Sequence, residues 1–122
     1  MSGWKLRKRS QSGADYSLRT FPDGASLAAD GYFLWANSAG GFAASIDADV
    51  SSTETLAGDN SIALFDAGGN EVDALAWGEG AGQYGEGDPF PSNPDAGKTL
   101  SRLRLGGVFV DTRDNAADFA IN

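Results

Sequence analysis

The chain of 122 residues contains no cysteine and no histidine. Without thiols there is no disulfide framework and no thiolate metal site. Without imidazole the commonest general base and the commonest zinc ligand are lost together, which excludes a Ser-His-Asp triad and zinc hydrolase chemistry. No apolar run approaches the about 20 residues that a membrane-spanning helix requires. The opening residues Met1-Ser2-Gly3-Trp4-Lys5 lack the apolar core of a secretory leader. Positive charge is scarce, with Lys and Arg totalling 9 against 17 Asp and Glu, for a formal net charge of -8. That balance opposes general affinity for nucleic acid, because phosphate contacts are supplied mainly by Lys and Arg, and no nucleic-acid partner is expected. Sustained helical periodicity is missing as well.

What is present points to strands and turns. The length suits one domain over residues 1–122, and 17 glycines imply many turns. Charge is segregated along the chain. Residues 1–20 hold Lys5, Arg7, Lys8, Arg9 and Arg19 against Asp15 alone, residues 21–97 hold thirteen acids and no base, and residues 98–122 return to near balance. A basic first strand on an acidic middle implies internal pairing or attraction between copies.

Trp4 and Leu6 alternate with Lys5, Arg7 and Arg9, the pattern of a half-buried strand, and Tyr16, Leu18 and Thr20 repeat it. Pro22-Asp23-Gly24 is a turn signal, since proline presets one φ and glycine accepts a positive one. Tyr32 to Ala36 is apolar on both faces, which predicts a central strand covered on both sides. Residues 38–55 read as a long connection, and Asp47, Asp49, Ser51 and Glu54 within it lack the glycine and spacing of a calcium-binding EF-hand loop. Asn60 to Asp66 and Glu71 to Trp77 flank Gly68-Gly69-Asn70, the recipe for a hairpin, with Asp73 needing an edge position or a partner. From Gly78 to Ala96 glycine, proline and carboxylates dominate, and Gly78-Glu79-Gly80-Ala81-Gly82 has none of the lysine and helix that a phosphate loop needs. Trp77, Tyr84 and Phe90 offer either an aromatic platform for a sugar or peptide, or a cover for one end of the core. The count is six to eight short strands, the profile of an all-β, antiparallel sandwich.

The last quarter, Gly97 to Phe119, joins a strand-like run from Thr99 to Leu105 to a turn crowded with Asp111, Asp114, Asn115 and Asp118. These oxygens suit calcium, which takes six to eight such ligands. The favoured reading is structural: Asp and Asn side chains bond nearby backbone N–H groups, and Arg102 or Arg113 pairs with a carboxylate. On that reading Leu100, Arg102, Asp111, Asn115, Asp118 and Phe119 form a latch that returns the last strand to the body, and no cofactor is expected.

Gly3-Trp4-Lys5-Leu6, Phe21-Pro22-Asp23-Gly24 with Leu27, Gly31-Tyr32-Phe33-Leu34, Asp59 to Asp66 with Gly69 and Val72-Asp73, and Gly97 to Arg102 with Asp111 to Asn115 and Asp118-Phe119 follow one another in this order. In that order the chain resembles lamin tail domains of the bacterial and phage type, almost from end to end. The most specific piece is the Leu-x-Arg strand followed by Asp-Thr-x-x-Asn-x-x-Asp-Phe. The resemblance implies an immunoglobulin-like β-sandwich without catalytic residues. It also implies an accessory or platform module in an extracellular, cell-surface or virion setting. The family's DNA contact does not carry over onto an acidic middle region. The family has strand material ahead of its Gly-Trp-x-Leu segment, and this chain begins there. The expectation is an open edge near Trp4, Leu6, Arg7 and Arg9, closed by strand addition or exchange from another chain, either a second copy or a different protein. A trimmed chain and a compact variant are the alternatives.

Three functions are compatible with these residues to different degrees. A non-catalytic interaction or assembly domain fits best. A carbohydrate- or surface-polymer-binding module using Trp35, Trp77, Tyr84 or Phe90 is the alternative. A glycoside hydrolase needs two carboxyls about 5–10 Å apart across a cleft. Thirteen acids in a glycine-rich stretch supply such a pair by chance, so no enzymatic activity is expected.

Overall fold

A computed structural model describes all residues, 1–122. The chain is all-β apart from two single-turn helices and one 3-10 turn, with ten strands. In chain order these are β1 (Lys5–Arg9), β2 (Asp15–Thr20), β3 (Trp35–Asn37), α1 (Phe42–Ser45), β4 (Val50–Ser52), β5 (Ser61–Phe65), β6 (Glu71–Ala76), β7 (Leu100–Arg102), β8 (Arg104–Leu105), β9 (Val108–Phe109), α2 (Asn115–Asp118) and β10 (Phe119–Ile121).

Four strands form an antiparallel sheet in the order β2-β1-β5-β6, and the others pair as β10-β7, β3-β4 and β8-β9. The β5–β6 hairpin closes where its sequence dictates. Asp66 N–H donates to Asn70 O at 2.9 Å. The Asp66 carboxylate takes the Asn70 amide at 2.9 Å, and Gly69 supplies the left-handed residue at φ 84°. The alternation within β5 separates two surfaces. Ser61, Ala63 and Phe65 face one side with Ala74 and Ala76 of β6, while Ile62 and Leu64 face the other with Leu6 of β1 and Leu75 of β6. On β2, the register slips between Leu6↔Arg19 and Arg7↔Ser17, so Leu18 is an unpaired bulge residue driven inward to 1% exposure.

The alanine face is small for a reason. Tyr84 lies on Ala63 and Ala74, packed edge-on to Phe65 with ring centroids 5.7 Å apart. The loop carrying it runs so close that a side chain at Gly85 would sit 3.1 Å from the Ala76 methyl. At Gly87, φ is 61° and an added Cβ would meet Arg113 O at 2.8 Å, so only glycine fits.

Three sequence expectations give way. The Tyr32 to Ala36 run is not a doubly covered strand: only Trp35 onward is extended pairing, Tyr32 is 81% exposed and Leu34 is exposed. An apolar run looks the same whether its two faces are covered or one is left to water. Residues 38–55 are not a bare connection, because the 3-10 turn, α1 and β4 lie within them, and β4 pairs in parallel with β3. The strand expected from Thr99 to Leu105 breaks at Leu103, whose N–H turns to Asp118 O at 2.8 Å, and the chain continues into the β8–β9 hairpin on Gly106-Gly107. Lys8, which the sequence pattern left unplaced, lies on the same face of β1 as Leu6 and is buried. Its ammonium bonds the Thr55 carbonyl and lies 3.2 Å from Glu54. No helix is long and apolar enough to cross a membrane.

Candidate functional site

Two features adjoin on the large sheet, a polar latch at its β6 edge and an apolar groove on its aliphatic face, and Arg102 and Phe119 belong to both.

The latch is built by α2 and the turn before it. Asp114 caps α2, its carboxylate accepting from Ala116 N–H at 3.1 Å. That turn buries two polar side chains completely, Asn115 and Asp118. Asn115 reaches the outer edge of β6. Its Oδ1 accepts from Ala76 N–H at 3.0 Å and Glu86 N–H at 3.2 Å, and its Nδ2 donates to Ala74 O at 3.0 Å. Next to it Phe90 N–H donates to Ala76 O and Gly78 N–H to Phe90 O, both at 2.9 Å. A side-chain amide and one residue of loop thus take the place of a neighbouring strand.

Asp118 turns the other way. It accepts from Thr112 N–H at 2.8 Å, Thr112 Oγ1 at 2.7 Å and Asp114 N–H at 3.4 Å, with Arg102 Nη1 at 3.8 Å. Burial alone would raise its pKa. The Thr112 and Asp114 donors and the Arg102 charge outweigh that and hold the carboxyl below its usual range. Arg102 Nη2 meets both oxygens of Asp73 at 2.9 Å, its Nη1 bonds Val110 O at 3.0 Å and lies 3.8 Å from Asp111, and its guanidinium covers the Phe119 ring at 4.6 Å. Arg102, Asp111, Asp118 and Phe119 are therefore together. Asn115 serves a different strand, and Leu100 points into the groove. The oxygens of Asp111, Asp114, Asn115 and Asp118 are spent on separate local donors and do not converge on one point, and no group of three or more acidic side chains is placed to hold a metal ion.

Of the basic residues on β1, Arg7 and Arg9 both pair with Asp15, at 2.8 and 3.2 Å, and Arg9 stacks on Tyr84 at 4.1 Å. β1 has partners on both sides, so the open edge expected at Trp4 and Leu6 is not there. Both residues are half-buried on the face away from Arg7 and Arg9. Trp77 and Tyr84 are buried and Phe90 is half-buried, so these three make no exposed aromatic platform. Burial and the hydrogen bond to Asp15 push the Tyr84 hydroxyl up. Asp15 itself is raised by burial but lowered further by donors from Tyr84, Arg7 and Arg9.

The groove runs across the aliphatic face of the large sheet. One end is floored by Leu6, Ile62, Leu64 and Leu75 and walled by Arg102 and Phe119, with a volume of about 300 Å³. The other, about 560 Å³, shares Ile62 and Leu75 and runs between Leu56 and Ala57 on one wall and Pro94, Lys98 and Leu100 on the other, with Trp77 beneath. Leu6, Ile62, Leu64, Leu75 and Leu100 remain only half-buried. Beside it the β7–β10 pair is open at its edges. Thr99 and Asn122 exchange hydrogen bonds at 3.0 and 2.9 Å, so by alternation Leu100, Arg102 and Ile121 turn their peptide groups away from the pair, with no strand across from them. Ile62, Leu64 and Leu75 were missed as site residues, although their alternation with Ala63, Ala74 and Ala76 was visible in the sequence.

Acid should act on these carboxylates in two directions. Asp15 and Asp118 have folded pKa values below the unfolded value of about 3.9, so their contribution is present above that pH and lost as pH falls through the folded values. Glu86 is the reverse: burial, then the charges of Asp73 and Asp111, raise it, and its Oε2 is buried without a partner. Its ionised form therefore opposes folding at neutral pH. Glu86→Gln should raise the melting temperature at about pH 7 and lose that advantage as the pH falls below the unfolded value of about 4.3, where the carboxyl becomes protonated folded and unfolded alike. An unchanged melting temperature at neutral pH would refute this.

Compared with protein-family models, with curated proteins and with solved structures, the chain gives no match.

Proposed function

We propose that this chain is a non-catalytic interaction domain: an immunoglobulin-like β-sandwich of lamin-tail type whose second layer is completed by an extended segment of another chain. On this reading the large sheet is one layer, and β7–β10 with β3–β4 would make up the other. The observation that carries the reading is the groove between them, a continuous aliphatic floor beside strand edges with unpaired peptide groups. Such a site takes a chain by strand addition, with backbone bonds giving affinity and alternate side chains entering the floor. An assembly subunit of a virion, filament or cell-surface structure needs this kind of contact. The resemblance in the Leu100 to Phe119 region supports the same class.

Methyl and amide NMR on the protein tests it, with a lysine-flanked extended peptide alternating valine and threonine as probe. Saturable shifts of the Leu6, Ile62 and Leu75 methyls are expected, with slowed exchange of the Ile121, Leu100 or Arg102 amide. A panel of soluble oligosaccharides should leave these signals in place. A saturable response to a sugar without one to the peptide would replace this reading by the carbohydrate-binding alternative.

A further inference from the structure

The groove has a charge pattern of its own, set by one wall. Lys98, Leu100 and Arg102, two residues apart along β7 and its approach, all line it. By alternation Thr99 and Ser101 turn their hydroxyls to the other face, 3.5 Å apart. The two cations are not equivalent. Arg102 meets Asp73 at 2.9 Å and lies 3.8 Å from both Asp111 and Asp118, so that end of the wall carries more acid than base. Lys98 has no ion-pair partner, and its ammonium makes no hydrogen bond within the chain.

The other polar side chains of the lining are engaged. Asn93 Oδ1 accepts from Asp59 N–H at 2.8 Å, and its Nδ2 donates to Asp59 Oδ1 at 3.1 Å. Trp77 Nε1 donates to Ala57 O at 3.0 Å, and Asp73 is held by Arg102. The lining therefore presents one unpaired charge, positive, at the end away from Arg102 and Phe119.

We propose that the segment entering the groove is aliphatic with a carboxylate at one end only, its acidic side chain pairing with Lys98 while its apolar side chains cover Leu75, Ile62 and Leu6. This rests on the reading of the groove as a chain-binding site and names the chemistry and direction of its occupant. A strand rises about 3.3 Å per residue, so Lys98 and Arg102 stand about 13 Å apart along the wall. An extended segment with its acid at Lys98 brings the residue four positions away to Arg102. There Asp73, Asp111 and Asp118 repel a second acid, and the Phe119 ring favours an apolar side chain. A uniformly acidic segment is thus rejected at one end and a basic one at the other. The net charge of -8 does not overrule this, because its field is screened over about 8 Å at physiological salt and the lining charges lie closest to the occupant.

Three capped peptides of one alternating valine-threonine sequence test the proposal, differing only in a terminal glutamate, glutamine or lysine. Titrations followed by leucine and isoleucine methyl shifts at about 50 mM salt should rank them Glu, Gln, Lys in falling affinity. The glutamate peptide should bind about threefold or more tighter than the glutamine one, the scale of one exposed ion pair, and the gap should close by about 0.5 M salt. Lys98→Gln should level those two peptides, and Lys98→Glu should put the lysine peptide first. Arg104→Gln, at a cation outside the groove lining, should leave the ranking unchanged. A nitroxide on the end away from the glutamate should broaden the Leu6 and Leu64 methyls before those of Leu56. Equal affinity for all three peptides, a ranking that survives Lys98→Glu or is lost with Arg104→Gln, or a nitroxide that broadens Leu56 first would overturn the proposal and leave the chain-binding reading in place. No saturable response to any of the three would remove both.

Discussion

Asn115→Ala is expected to lower stability by about 3 kcal/mol, with a fall in melting temperature of roughly 10 °C. The side chain is fully buried and serves Ala74 O, Ala76 N–H and Glu86 N–H. Truncation leaves all three without a partner in a dry place, and each orphaned group costs about 1–3 kcal/mol. The total falls below the sum because water entering the vacated space recovers part of the loss. Asn115→Asp separates shape from chemistry. It keeps an acceptor for Ala76 but faces Ala74 O with a second acceptor, and the charge is buried. It should be at least as destabilised as the alanine variant at neutral pH and should recover as pH falls, when the protonated carboxyl donates to Ala74 O. Denaturant melts read the effect as a shift of midpoint at constant slope, and an unmoved midpoint would show that the latch carries no energy.

Arg102→Leu is expected to cost about 2–3 kcal/mol. Removing one partner of a buried ion pair costs about 3–5 kcal/mol, because the remaining charge is left desolvated. Here the figure is smaller: Asp73 and Asp111 are half-exposed and can be hydrated, and only Asp118 is fully buried. Asp73→Ala should therefore cost well under half as much as Arg102→Leu. Arg102→Lys should recover little, since one ammonium cannot reach Asp73, the Val110 carbonyl and the Phe119 ring from a single position. If the leucine and lysine variants melt together with wild type, the guanidinium is a surface ornament of the fold.

The part of the molecule legible in the sequence is the part where side-chain period and turn chemistry agree. Ser61 to Ala76 has both: apolar alternation on each arm and Gly69 at the bend. Asp73 was legible as a residue needing an edge position or a partner, and it has both, in β6 and in Arg102. The polar content of Asp111 to Asp118 pointed to local capping, and Asp114 caps α2. What stayed hidden depends on coverage rather than pattern. Tyr32 and Leu105 look like core residues because their chemistry says nothing about whether a partner surface arrives. The burial of Lys8 was hidden because nothing near it in sequence announces the Thr55 carbonyl, 47 residues away. The groove escaped for the same reason: a half-covered Ile62 and a fully covered one are the same letter.

Blocked edges give the molecule a low valence. An exposed sheet margin is a reactive end, able to add chains without limit. At β6 the Asn115 amide and Phe90 stand where a strand would add. At β2 the Leu18 bulge and the charges of Asp15 and Arg19 spoil the template. The large sheet therefore cannot propagate from copy to copy. Growth is left to the short strand pairs and the groove, and Asn115→Ala, by uncapping the margin of β6, should leave a protein that is both less stable and more prone to aggregate.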